Sequence, residues 1–117
     1  MRAAWVALAG AAGALCRYGI GLAAGPQLFP WPTLGINLAG CFALAYLLQH
    51  GTGRWPLDFQ TAAAVGFLGA FTTFSTFGYE TLVLLREGRG GRALLYVGAS
   101  MVGGVGAAAL GWALARP

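Results

Sequence analysis

Four apolar stretches, each long enough to cross a bilayer, make up most of this 117-residue chain, and glycine- or proline-rich breaks separate them. They cover about residues 3–23, 33–50, 59–85 and 93–115. A helix needs ~20 apolar residues to cross a ~30 Å hydrocarbon core. Lipid offers the backbone no hydrogen bonds, so stretches of this kind are read as helices. Of the residues, 58% are hydrophobic and 9% charged, with no lysine at all, whereas a soluble domain this small needs a far more charged surface. The expected fold class is therefore all-α integral membrane, one four-helix domain over residues 1–117. The third stretch exceeds what a crossing requires, and Gly66, Gly69 and Gly78 punctuate it. A tilted or broken helix is expected there, with residues 69–72 as the place for the break.

Short connections mark the ends of the spans. Three prolines, Pro26, Pro30 and Pro32, end the first. The stretches GTGRWP (residues 51–56) and GRGGR (residues 88–92) separate the others. Arg2 before an apolar run is reminiscent of a signal peptide, but Arg17 falls where cleavage would be expected and the apolar pattern continues past it. Span one is therefore expected to be retained. Cys16 and Cys41 lie within spans and are expected to pack as small hydrophobes. Together with the single His50 they cannot build a normal zinc shell.

Orientation signals nearly cancel. Arg2, Arg54 and Arg116 fall on one side, and Arg86, Arg89 and Arg92 on the other. The positive-inside rule gives almost no preference. Two readings stay open: weak topology signals, or insertion both ways with pairing as an antiparallel dimer. Small residues at four-residue spacing permit close helix approach, as in Ala99, Gly103, Ala107 and Gly111 on span four and Gly10 and Ala14 on span one. Such stripes serve packing within one subunit or between two.

The stretch GFLGAFTTFSTFGYE (residues 66–80) carries the chemistry. Four phenylalanines and four hydroxyls fall within eleven residues. On an unbroken helix Phe67, Phe71, Phe74 and Phe77 form one stripe, with Thr72, Ser75 and Thr76 beside it. Polar groups at membrane depth face protein or a water-filled path, so this segment reads as the lining of a pathway. Asn37 is central to span two; it can bridge helices or offer its amide hydrogens to an anion. Tyr96 and Ser100 share a face of span four. Arg17 is the one full charge well inside a span, a functional suspect whose plain role is snorkelling or bonding backbone carbonyls. Glu80 either reaches the pathway mouth or is a solvated carboxylate. Phenylalanine edges are the positive end of the ring quadrupole. Donors, ring edges and one arginine suit something small and negative. Neither a catalytic triad nor a phosphate-binding glycine loop is present, and no enzyme is expected.

Three motifs in order carry a family resemblance: GAAGALCRY (residues 10–18), the segment from Thr33 to Phe42 around Asn37, and GFLGAFTTFSTFGYE (residues 66–80). Over essentially its whole length the chain resembles the Fluc/CrcB family of fluoride channels. The resemblance implies a dual-topology antiparallel homodimer with two fluoride pores, in the bacterial cytoplasmic (inner) membrane, and no nucleic-acid partner. It implies a phenylalanine box of Phe74 and Phe77 and fluoride donation by Asn37. Ser75, Thr76, Tyr96, Ser100 and Thr33 would line polar parts of the route. Arg17 would sit in or near a vestibule, and Glu80 would partner the hydroxyls. Backbone carbonyls of Gly69 and Thr72 from both copies would hold a structural sodium ion. The competing reading is a small dual-topology multidrug/cation exporter, which needs an embedded carboxylate, usually in span one. Span one holds no acid. A non-conducting packing subunit is the third reading.

Overall fold

A computed structural model describes residues 1–116. The first helix, α1 (Arg2–Ala24), ends at Gly25, whose φ of 68° is left-handed. Glycine enters that region without a steric penalty, so the chain can turn there. The first loop leads into α2 (Trp31–Gly51), where Pro32 stands in the first turn and its missing N–H costs nothing. The third span begins as α3 (Leu57–Thr61) and widens into a π-helical segment, Ala62–Leu68. It narrows again to α4 (Gly69–Phe71) and restarts as α5 (Phe74–Arg86). Gly88 turns the chain with a φ of 75°, and α6 (Gly90–Ala115) closes it. The four expected spans are present, and the third crosses as one apolar, interrupted unit, Leu57–Arg86.

Packing follows the interruption. The segments before the break lie on α1, whereas α5 lies on α6, which in turn packs along α2. Breaking the third span thus lets it cross from one helical pair to the other. Glycine makes both contacts close. A Cβ on Gly13 would strike the Phe67 carbonyl oxygen, and one on Gly66 would come within 2.7 Å of the Val6 carbonyl oxygen. On the other pair, a Cβ on Gly111 would strike the Phe42 carbonyl and one on Gly103 would meet Leu38. The small residues Gly10, Gly103 and Gly111 therefore serve packing within this subunit.

One buried cluster, Phe29, Leu34, Phe77, Leu84, Ala93 and Tyr96, joins α2, α5, α6 and the first loop. Phe29 belongs to the proline-rich loop and packs edge-on against Tyr96 at 5.6 Å. Most other large apolar side chains, Leu94, Val102 and Val105 among them, are exposed on the single chain. Lipid or a partner surface must cover them, since water would not tolerate so much apolar area.

Candidate functional site

The break falls at Thr72 and Thr73, both extended, with ψ of 158° and 120°. Thr72 lies within the expected stretch, residues 69–72, and Thr73 just past it, while Gly69 itself stays helical. The cause is side-chain chemistry. Thr72 Oγ1 donates back to the Leu68 carbonyl at 2.8 Å and closes the first half-helix. Thr73 Oγ1 accepts the Thr76 N–H at 3.2 Å and caps the second. Threonine at an N-cap satisfies a donor that the helix leaves free. Gly40 on α2 makes room, since a Cβ there would collide with the Thr72 methyl.

Two long side chains hold the break from outside. Asn37 Nδ2 donates to the Thr73 carbonyl at 3.0 Å, and the Thr73 N–H donates to Asn37 Oδ1 at 2.9 Å. Arg17 Nε donates to the Ala70 carbonyl at 3.1 Å, capping the first half-helix from α1. A cation suits that end of the helix dipole. Asn37 and Arg17 thus perform the helix-bridging and carbonyl-bonding roles open to them in the sequence. The Gly69 and Thr72 carbonyls have no hydrogen-bond donor among the described residues.

The break also splits the expected aromatic stripe. Phe67 and Phe71 stack at 5.8 Å before it; Phe74 and Phe77 meet at 5.8 Å, tilted by 48°, after it. The two phenylalanines beyond the break differ in setting. Phe77 is 7% exposed and packs on Tyr96 at 5.0 Å, while Phe74 is 78% exposed on the single chain.

Two concavities flank the break, and a third lies toward the first loop. A groove of about 300 Å³ is lined by Asn37, Gly69, Thr72, Thr73, Phe74, Phe77 and Ser100, among others. The Ser100 hydroxyl is buried without a hydrogen-bond partner among the described residues. On the other side, about 270 Å³ is lined by Arg17, Thr33, Thr73 and Thr76. A larger concavity of about 570 Å³ shares Thr33 with the second and adds Glu80, Glu87, Arg89 and the first loop. Glu80 is not merely solvated: its Oε1 accepts from the Tyr96 hydroxyl at 3.0 Å. Two expected lining residues stand apart. Tyr96 is fully buried behind Glu80, and Ser75 is exposed and lines none of the three.

Thr73 stood among the expected hydroxyl donors but not among the expected pathway residues, yet it lines both concavities beside the break. Its signal was a threonine just before an apolar helical run, an N-cap pattern. The π-helical segment, Gly40 and the folded-back Phe29 left no comparable mark.

An interrupted helix with hydroxyls, an amide and phenylalanines around grooves at membrane depth defines a multi-pass membrane protein with a polar intramembrane site. Residues 4–112 match the family described as CrcB-like protein, Camphor Resistance (CrcB). The chain belongs to this family. It is 44% identical to Fluoride-specific ion channel FluC 2 of Geobacillus kaustophilus, over 96% of this chain and 91% of the relative. It is 43% identical to Fluoride-specific ion channel FluC of Acidobacterium capsulatum, over 95% and 93%. A third relative, Fluoride-specific ion channel FluC 2 of Moorella thermoacetica, is 43% identical over 92% and 91%.

Proposed function

We propose that this protein is a fluoride-selective channel that lets cytoplasmic fluoride leave by passive electrodiffusion, as two antiparallel pores of a dual-topology homodimer in the bacterial inner membrane. The observation that carries the reading is the near-full-length identity to relatives named as fluoride-specific channels, in a chain whose intramembrane donors are uncharged but for Arg17. Fluoride is small and strongly hydrated, so a pore must replace its water with donors. Conduction also needs sites that are easy to leave. Neutral donors and ring edges meet both demands better than a fixed deep cation.

The residues divide the task as follows. Asn37 spends one amide hydrogen on Thr73 and keeps the second for the groove. Ser100 brings an unpartnered hydroxyl to the same groove, which Phe74 and Phe77 also line. Thr33 and Thr76, beside Arg17, offer donors on the far side of the break. Tyr96 holds the Glu80 carboxylate at the mouth. Ser75 and the exposed face of Phe74 await the second copy. The unpartnered Gly69 and Thr72 carbonyls are hard neutral oxygens, which suit an alkali cation. They would hold a structural sodium ion between two copies, and that ion would supply the positive charge that lets carbonyl dipoles converge. The exporter reading is dropped: the α1 span carries no acid.

The test is fluoride efflux from vesicles reconstituted with purified protein. Fluoride flux well above empty vesicles, with little chloride flux, is expected; folded protein without fluoride flux refutes the proposal. Accessibility tags on the C-terminus should report both sides of the membrane, and labelling from one side alone refutes dual insertion.

A further inference from the structure

We infer that Thr73 is a positioning residue that turns the Thr76 hydroxyl hydrogen toward the permeating anion, an inference that rests on the fluoride-channel reading. A hydroxyl owns one hydrogen and two acceptor lone pairs. Thr73 Oγ1 accepts the Thr76 N–H at 3.2 Å and gives its own hydrogen to Thr76 Oγ1 at 3.1 Å. Ser75 Oγ, 3.3 Å away, fills the second lone pair when it donates. The Thr73 hydroxyl is then fully used. Thr76 is an acceptor in this exchange, so its hydrogen cannot point back along the same line.

That hydrogen has no other outlet within the helix. Thr81, also on α5, donates to the Phe77 carbonyl at 2.8 Å. The Thr76 hydroxyl has no such acceptor among the described residues. Thr76 lines the concavity that Arg17 and Thr33 also line. Of the four hydroxyls from Thr72 to Thr76, Thr72 donates to Leu68, Thr73 to Thr76 and Ser75 to Thr73, so only Thr76 retains a free hydrogen, and it lines the same concavity as the one intramembrane cation. A hydroxyl that accepts a hydrogen bond is also polarised into a better donor. Thr73 keeps this orientation because Asn37 fixes both of its backbone groups.

The experiment measures fluoride flux for Thr73→Val, Thr73→Ser, Thr76→Val and the double valine variant, with dimer elution and tryptophan fluorescence to establish folding. If Thr73 acts through Thr76, each valine lowers flux about tenfold and the pair about tenfold as well, because coupled residues are not additive. Thr73→Ser should stay within about twofold of the parent, since it keeps both bonds. A loss of about a hundredfold in the double variant overturns the inference. So does wild-type flux in Thr73→Val, or failure of serine to rescue. Should Thr73→Val not fold, Thr73→Asp keeps the cap and has no hydrogen to give; the Thr76 hydrogen then turns onto the carboxylate. Adding Thr76→Val to that variant should cost nothing more, and a further tenfold loss overturns the inference. Fluoride flux untouched by Thr76→Val defeats the inference alone. A parent protein without fluoride flux defeats the channel reading and the inference with it.

Discussion

Asn37→Leu removes the clamp on the helix break at nearly constant volume. Asn37 makes two hydrogen bonds, both to the backbone of Thr73. Interhelical side-chain bonds in membranes average about 0.6 kcal/mol, which sets a floor of about 1.2 kcal/mol for the pair. The ceiling comes from leaving one N–H and one C=O without partners, at about 1–3 kcal/mol each. Thr73 lines concavities on both sides and is only half-buried, so its backbone is not sealed in hydrocarbon and the ceiling is not attained. A loss of about 2 kcal/mol is expected, with partial rejoining of the two half-helices. The assay is equilibrium unfolding in mixed micelles, followed by the fluorescence of the four tryptophans. Asn37→Asp should fall between leucine and the parent, because it keeps the acceptor for the Thr73 N–H and loses the donor to the Thr73 carbonyl. Leucine at parental stability would show that the break stands without Asn37 and would refute the reasoning.

Glycine positions should sort by what a methyl group meets. Gly13→Ala is expected to abolish folding or oligomer formation in size-exclusion analysis, since its Cβ runs into the Phe67 carbonyl, whereas Gly98→Ala has open space and should gain up to about 1 kcal/mol from helix propensity. The two phenylalanines beyond the break should separate in stability. Phe77→Ala empties a buried site against Tyr96 and should cost about 3 kcal/mol in unfolding, while Phe74→Ala, on the exposed face, should cost under about 1 kcal/mol yet lower fluoride flux. Equal stability losses would contradict the burial difference, and unchanged flux in both would remove the ring-edge role.

Much of the polar set was legible because lipid makes polar residues conspicuous. Arg17, Asn37 and the run from Thr72 to Thr76 stood out against an apolar background for a physical reason: each must find a partner inside the protein. Their partners were not legible. Arg17 bonds the Ala70 carbonyl, 53 positions away, and Asn37 bonds the Thr73 backbone, 36 away. Backbone groups have no residue code, so no motif announces them. Glycine reasoning located the break only to within residues 69–72, for a related cause. Glycine permits a break, but at Gly69 the helix keeps its hydrogen bonds, and the threonine side chains that replace lost bonds decide where it opens.

By itself the sequence determined that four helices cross a membrane, that the third cannot be plain, and which side chains bring polarity to its depth. Those conclusions follow from length, hydropathy and the cost of bare polar groups in hydrocarbon, all local properties of the chain. Only the tertiary structure decided that the third span leaves α1 for α6 at Thr72–Thr73, that Phe77 is core and Phe74 surface, and that Thr73 joins two concavities. The physical reason is that these features depend on how closely separate helices approach. That distance is set by a few glycines meeting particular carbonyls across the bundle, and no single stretch of sequence contains both sides of the contact.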